Sequence, residues 1–130
     1  MYGFEVYTSE VDDRGIDFVA QRNRSGFIEI QAKALRSYGY VFLRKTHFKP
    51  RASLYVALGL MFEGQEPKSF LIPSAVWNKP DGVFVSRDYD SPELKSQPEW
   101  GINVSQKNMA AIEQYTFGPM LERLVKNSDA

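Results

Sequence analysis

The residues that could do chemistry here are the polar ones that interrupt apolar, strand-like segments. Asp17 lies within Gly15-Ile16-Asp17-Phe18-Val19-Ala20-Gln21, where Ile16, Phe18 and Ala20 fall on one face of a strand. Asn23-Arg24-Ser25-Gly26 has turn composition and suggests a hairpin. The following segment, Phe27 to Ala34, puts Ile28, Ile30 and Ala32 on one side and Glu29, Gln31 and Lys33 on the other. If the two strands pair, the Asp17 carboxylate can approach Gln31 and Lys33. A carboxylate, an amide oxygen and a nearby backbone carbonyl are hard ligands suited to Mg²⁺ or Mn²⁺. Mg²⁺ keeps several waters, and one of them could become the nucleophile in phosphodiester hydrolysis. Lys33 could orient that water or stabilise the charge that builds on phosphate. The plainer alternative is an Asp17 bonded to backbone amides, with Glu29, Gln31 and Lys33 as the solvent face of a half-exposed strand. Glu29 fits an outer ligand or a surface residue.

The elements that must position these residues are mostly strands. Phe4, Val6 and Tyr7 suggest a first strand, stopped by the polar run Thr8 to Arg14. Tyr40 to Leu43 reads as a fourth strand. Ala52 to Phe62 is almost wholly apolar, as a central strand covered on both faces would be, although a buried helix segment has the same signature. Ser69 to Ile72 is another short strand, ending at Pro73, and Ser74 could cap one helical turn reaching Trp77. Asn78 to Glu99 is rich in Pro, Asp, Gly and Ser, and reads as loop around a Val83-Phe84-Val85 strand. Trp100 to Val104 is expected as a last edge strand. Ser105 suits the N-cap of a helix carrying Met109, Ile112 and Tyr115 or Thr116. Gly118-Pro119 should break it, with Pro119 in the first turn of a final helix through Leu121 and Leu124. No repeat, low-complexity tract or linker divides the chain, so residues 1–130 are expected to form one mixed α/β domain.

Composition narrows the function classes. A chain of 130 residues with 43% hydrophobic and 25% charged residues matches an ordinary globule. Without cysteine there is no disulfide, thiolate metal site or cysteine nucleophile. No apolar run approaches the roughly 18 residues needed to span a bilayer. Met1-Tyr2-Gly3-Phe4-Glu5 lacks the basic and apolar stretches of a secretory signal, so a cytoplasmic location is expected. Net charge is zero, which argues against bulk-charge binding to nucleic acid. Its distribution is uneven: Arg14 to Arg51 holds nine Lys or Arg against two acids, a local charge of +7. Arg22, Arg24, Arg36, Arg44, Lys45, Lys49 and Arg51 could contact phosphates there, or only keep the surface soluble. His47, the sole histidine, reads as a surface loop residue, with a general base as the alternative; without a second histidine a histidine-based zinc site is not expected. Trp77 and Trp100 could stack on bases, but core or edge packing is the better reading. No phosphate-binding glycine loop, serine elbow or dinucleotide fingerprint is present.

The spacing of Asp17 and Gln31-Ala32-Lys33 resembles the PD-(D/E)XK nuclease superfamily. There an acid at the end of one strand precedes an acid or Gln, any residue, and Lys on the next. The wider runs Asp13-Arg14-Gly15-Ile16-Asp17 and Ile28-Glu29-Ile30-Gln31-Ala32-Lys33 look like the bacterial domain-of-unknown-function family 4365. Phe70-Leu71-Ile72-Pro73 and Trp100-Gly101-Ile102-Asn103 are also similar to it. The resemblance implies a restriction-endonuclease-like α/β fold, a mixed β-sheet flanked by helices. It implies metal-dependent cleavage of DNA, within phage defence or DNA processing. Asp17, Gln31 and the Ala32 carbonyl would hold the metal, and Lys33 would serve the attacking water. Family members usually begin with a helix that packs on the sheet and often supplies a Glu. Only sixteen residues precede Asp17 here, and they read as strand and loop, so that helix is expected to be missing. The sheet face left open would then favour a homodimer or a protein partner. The alternative reading keeps the fold without catalysis, as a module that binds nucleic acid or another protein.

Overall fold

A computed structural model describes residues 4–8, 18–22, 27–89 and 97–129. Three consecutive strands, β1 (Phe4–Thr8), β2 (Phe18–Arg22) and β3 (Phe27–Leu35), pair antiparallel in chain order. The chain then leaves this sheet to form β4 (Gly39–Arg44) and returns as β5 (Leu54–Leu60), parallel to β3. A parallel pair needs a crossover, and here the crossover carries a strand of another sheet. β6 (Lys68–Pro73) pairs antiparallel with β5, giving the order β1-β2-β3-β5-β6. After a 3-10 turn at Ser74–Asn78 come β7 (Phe84–Arg87) and β8 (Glu99–Val104). These join β4 in a second, antiparallel sheet of order β4-β8-β7. Two helices, α1 (Met109–Glu113) and α2 (Phe117–Asp129), end the chain. The described residues therefore form a mixed α/β structure with two sheets.

Side-chain alternation on β5 divides the interior. Leu54, Val56, Leu58 and Leu60 join Val41 and Leu43 of β4, Phe84 of β7, and Ile102 and Val104 of β8 in one buried cluster. Tyr55, one step out of phase, joins Ile28 and Ile30 of β3, Leu71 of β6, and Met120 and Leu124 of α2 in another. The five-stranded sheet is thus covered by the small sheet on one face and by α2 on the other. Burying each such aliphatic side chain contributes about 1.5–3 kcal/mol. Trp77, 1% exposed, helps join the two sheets: its indole N–H donates to the Gly101 carbonyl at 3.1 Å. Its ring meets Phe48 and Phe84 edge-on, at 5.5 and 5.9 Å between centroids.

Four local expectations are corrected. β8 is the middle strand of its sheet rather than an edge, because β4 and β7 both pair with it. Ser74 does not cap the 3-10 turn, whose N-cap position is Pro73. Its buried hydroxyl instead accepts from the Arg51 N–H at 2.9 Å and donates to the Arg51 carbonyl at 2.8 Å, tying the loop after β4 to the end of β6. Ser105 accepts from the Asn108 N–H at 3.2 Å in a preceding turn, and α1 begins later, with Asn108 as its N-cap. Gly118-Pro119 does not break a helix, although Pro119 lies, as expected, in the first turn of the last one, α2. α1 has already ended, because the Tyr115 carbonyl accepts from the Leu71 N–H at 2.8 Å and Thr116 bridges to Phe70. The start of β2 at Gly15, the turn at Asn23–Gly26 and the run Ser9 to Arg14 lie outside the described residues. Among the described residues no helix is long and apolar enough to cross a membrane.

Candidate functional site

β3 places the sequence-predicted residues by its register. Gln31 pairs with Val56 and Lys33 with Leu58, so both share the sheet face that the small sheet covers. They are half-buried, at the margin of that core. Ala32 lies opposite, on the α2 face, with its side chain exposed. Asp17 lies outside the described residues. β2 begins at Phe18, which pairs with Ile30, the residue before Gln31.

β4 completes the surroundings. Val41 and Leu43 point into the core, so Phe42 and Arg44 point outward by the period of two. The chain then folds back on itself: the Arg44 carbonyl accepts from the N–H groups of His47 and Phe48, at 3.0 and 2.9 Å. Phe48, 1% exposed, anchors the turn in the core and leaves His47 exposed. The result is an open pocket of about 290 Å³ lined by Gln31, Lys33, Phe42, Leu43, Arg44, His47 and Phe48. The Lys33 ammonium and the Arg44 guanidinium each lie 5.9 Å from the centre of the Phe42 ring, within the range of a cation–π contact.

Charge decides what this pocket attracts. Among the described residues the ion pairs join Lys45 to Asp88, at 2.6 Å, and Arg51 to Glu29. Neither Lys33 nor Arg44 has a carboxylate partner in that set, and among the described residues no acid lines the pocket. Two cations and an amide lining one pocket suit an anion with several oxygens, such as a phosphate. Glu29 is used elsewhere: both carboxylate oxygens meet the Arg51 guanidinium, one of them at 3.1 Å, and the Ser53 hydroxyl donates at 3.3 Å. Its role is to hold the start of β3 against the loop before β5. Among the described residues no three His, Cys, Asp or Glu gather. Gln31 alone is a weak cation ligand beside two positive charges, so a metal here depends on the Asp17 carboxylate.

Of the other candidates, Trp77 is buried, and Trp100 donates its indole N–H to the Phe48 carbonyl at 2.9 Å with Lys45 4.1 Å over its ring. Both are packing residues. Arg51 and Lys45 are held in their ion pairs, while Arg36, Arg44 and Lys49 are exposed. The sequence reading missed Phe42. Its signal was present in Tyr40-Val41-Phe42-Leu43, where alternation sets an aromatic on the face opposite Val41 and Leu43. Set against protein-family models, curated proteins and solved structures, the chain matches none of them.

Proposed function

We propose that this chain is a restriction-endonuclease-like protein that binds a DNA phosphodiester in the Lys33–Arg44 pocket and cleaves it with Mg²⁺ or Mn²⁺. The observation that carries this reading is the placement of Gln31 and Lys33 on one face of β3, opening into a cationic pocket. Asp17, Gln31 and the Ala32 carbonyl would hold the metal. Its chemistry would be to polarise the phosphate and acidify a water. Lys33 would orient that water and meet the charge that develops on phosphate, while Arg44 would hold a neighbouring phosphate. Water would add to phosphorus, and the P–O ester bond would break as the leaving oxygen takes a proton. A mixed sheet with two consecutive antiparallel pairs, followed by a parallel partner for β3, supports the same fold assignment.

A second reading keeps the pocket without turnover, as a nucleic-acid or protein-binding module of the same fold. The absence of an acid from the pocket lining among the described residues favours it. Calorimetry with Mn²⁺ on the wild type and on Asp17→Ala separates the two. Binding that disappears in the variant is the expected result, and Lys33→Ala should then retain Mn²⁺ binding while losing DNA cleavage. Mn²⁺ binding equal in wild type and Asp17→Ala would reject the metal site. Lys33→Ala cleaving at the wild-type rate would reject the role of Lys33.

A further inference from the structure

We propose that the outward face of the β4-β8-β7 sheet is a stacking platform for single-stranded DNA, continuous with the Lys33–Arg44 pocket; the choice of DNA rests on the proposed function. On β4, Tyr40, Phe42 and Arg44 alternate away from the buried Val41 and Leu43. Their partners on β8 are Asn103, Gly101 and Glu99. Gly101 is what lets this face carry rings. A β-carbon there would sit 2.0 Å from the Tyr40 hydroxyl, so the glycine leaves room for the phenol to lie across the strand. Arg87, beyond β8 on the same sheet, places its guanidinium 4.4 Å from the Tyr40 ring. Phe42 remains 43% exposed although its ring is large and apolar.

The exposed Phe42 ring is thus flanked by Lys33 and Arg44, while Tyr40, lying across Gly101 under Arg87, carries a third cation on the same face of the small sheet. The one acid facing it among the described residues, Glu99, is 8% exposed and accepts the Tyr40 hydroxyl at 2.6 Å. Rings offer stacking to any base, and cations offer pairing to the phosphates between bases. Duplex DNA hides its base faces inside the stack, whereas a single strand presents bases and phosphates together. That complementarity selects a single strand over a duplex. The polar groups of this face are committed inside the protein: Asn103 donates its amide to the Gly82 carbonyl at 3.0 Å, and Glu99 holds Tyr40. The platform thus offers base stacking and charge as its means of recognition.

Fluorescence anisotropy with a labelled oligo-dT of ~12 nucleotides, in EDTA to prevent turnover, tests this against a duplex of equal length. The single strand should bind at least about 10-fold more tightly. Phe42→Ala should weaken single-strand binding by about 10-fold, as expected for one lost stacking ring, and weaken duplex binding by clearly less. Phe42→Leu keeps an apolar side chain at this exposed position and should show the same loss, so a misfolded alanine variant would not decide the matter. Arg44→Gln should lower the salt dependence by about one phosphate contact, a slope change near 0.7. Equal or tighter duplex binding, unchanged binding by Phe42→Leu, or no binding at all would overturn the platform. Tighter binding of the matching ribo-oligonucleotide would overturn the commitment to DNA. Failure of the hydrolase reading is seen separately, as absent Mn²⁺ binding with single-strand binding intact.

Discussion

At Tyr40 a phenol crosses Gly101, donates to Glu99 at 2.6 Å and carries Arg87 above its ring. Burial, and then the hydrogen bond to Glu99, push the phenol well above its ordinary value of 10.0. The folded state therefore favours the protonated form. That contribution is complete below about pH 10 and is lost as pH rises through the folded value. Wild type should lose stability above pH 10 more steeply than Tyr40→Phe, measured by urea melts across the alkaline range. The variant should also cost about 1–2 kcal/mol near neutrality, because Glu99 is left nearly buried without its donor. Equal alkaline slopes would mean that the phenol titrates as it does in the unfolded chain. Lys33 and Arg44 stand apart from this arrangement: no carboxylate among the described residues offsets them.

The five-stranded sheet is held from behind by α2, whose Met120 and Leu124 pack on Ile28 and Ile30 of β3. Leu124 is 7% exposed, so Leu124→Ala should cost about 2–4 kcal/mol, read as a shifted denaturation midpoint. A loss below about 0.5 kcal/mol would show that α2 does not brace the strand that bears Gln31 and Lys33. Strand β3 itself was legible in the sequence, because alternation of Ile28 and Ile30 with Glu29, Gln31 and Lys33 reports which sides face which way. β5 was legible for a different reason: an unbroken apolar run fits burial on both faces. Pairing was not. Nothing local in Trp100-Gly101-Ile102-Asn103 says that strands on both sides complete its hydrogen bonds, since those partners lie far away in sequence. The serine caps failed similarly, because Ser74 found its partner in Arg51 across a tertiary contact. Of the candidate site, the adjacency of Gln31 and Lys33 followed from period two, whereas the approach of Phe42 and Arg44 required the turn after Leu35.

Across the whole molecule, residues from both sheets and from α1 share one buried cluster: Val41, Leu58, Ile72, Trp77, Ile102 and Ile112 belong to it together. Neither sheet can separate without exposing that interior, so unfolding should occur in a single step. Tryptophan fluorescence and far-UV circular dichroism should give superimposable denaturation curves; two separated midpoints would show that the sheets open independently. The zero net charge hides the relevant distribution, because the segment 14–51 with its excess of Lys and Arg is the one that forms β3 and β4. β4 has a further consequence for how the protein comes into being. Its ladder partner is β8, about sixty residues later in the chain, while Gln31, Lys33, Phe42, Arg44 and His47 all precede residue 48. During synthesis these side chains leave the ribosome long before the strand that holds β4 in its sheet. A nascent chain ending before Glu99 would contain every residue of the pocket and lack the ladder that sets their spacing, so ligand binding should arise late in translation, after Val104 emerges.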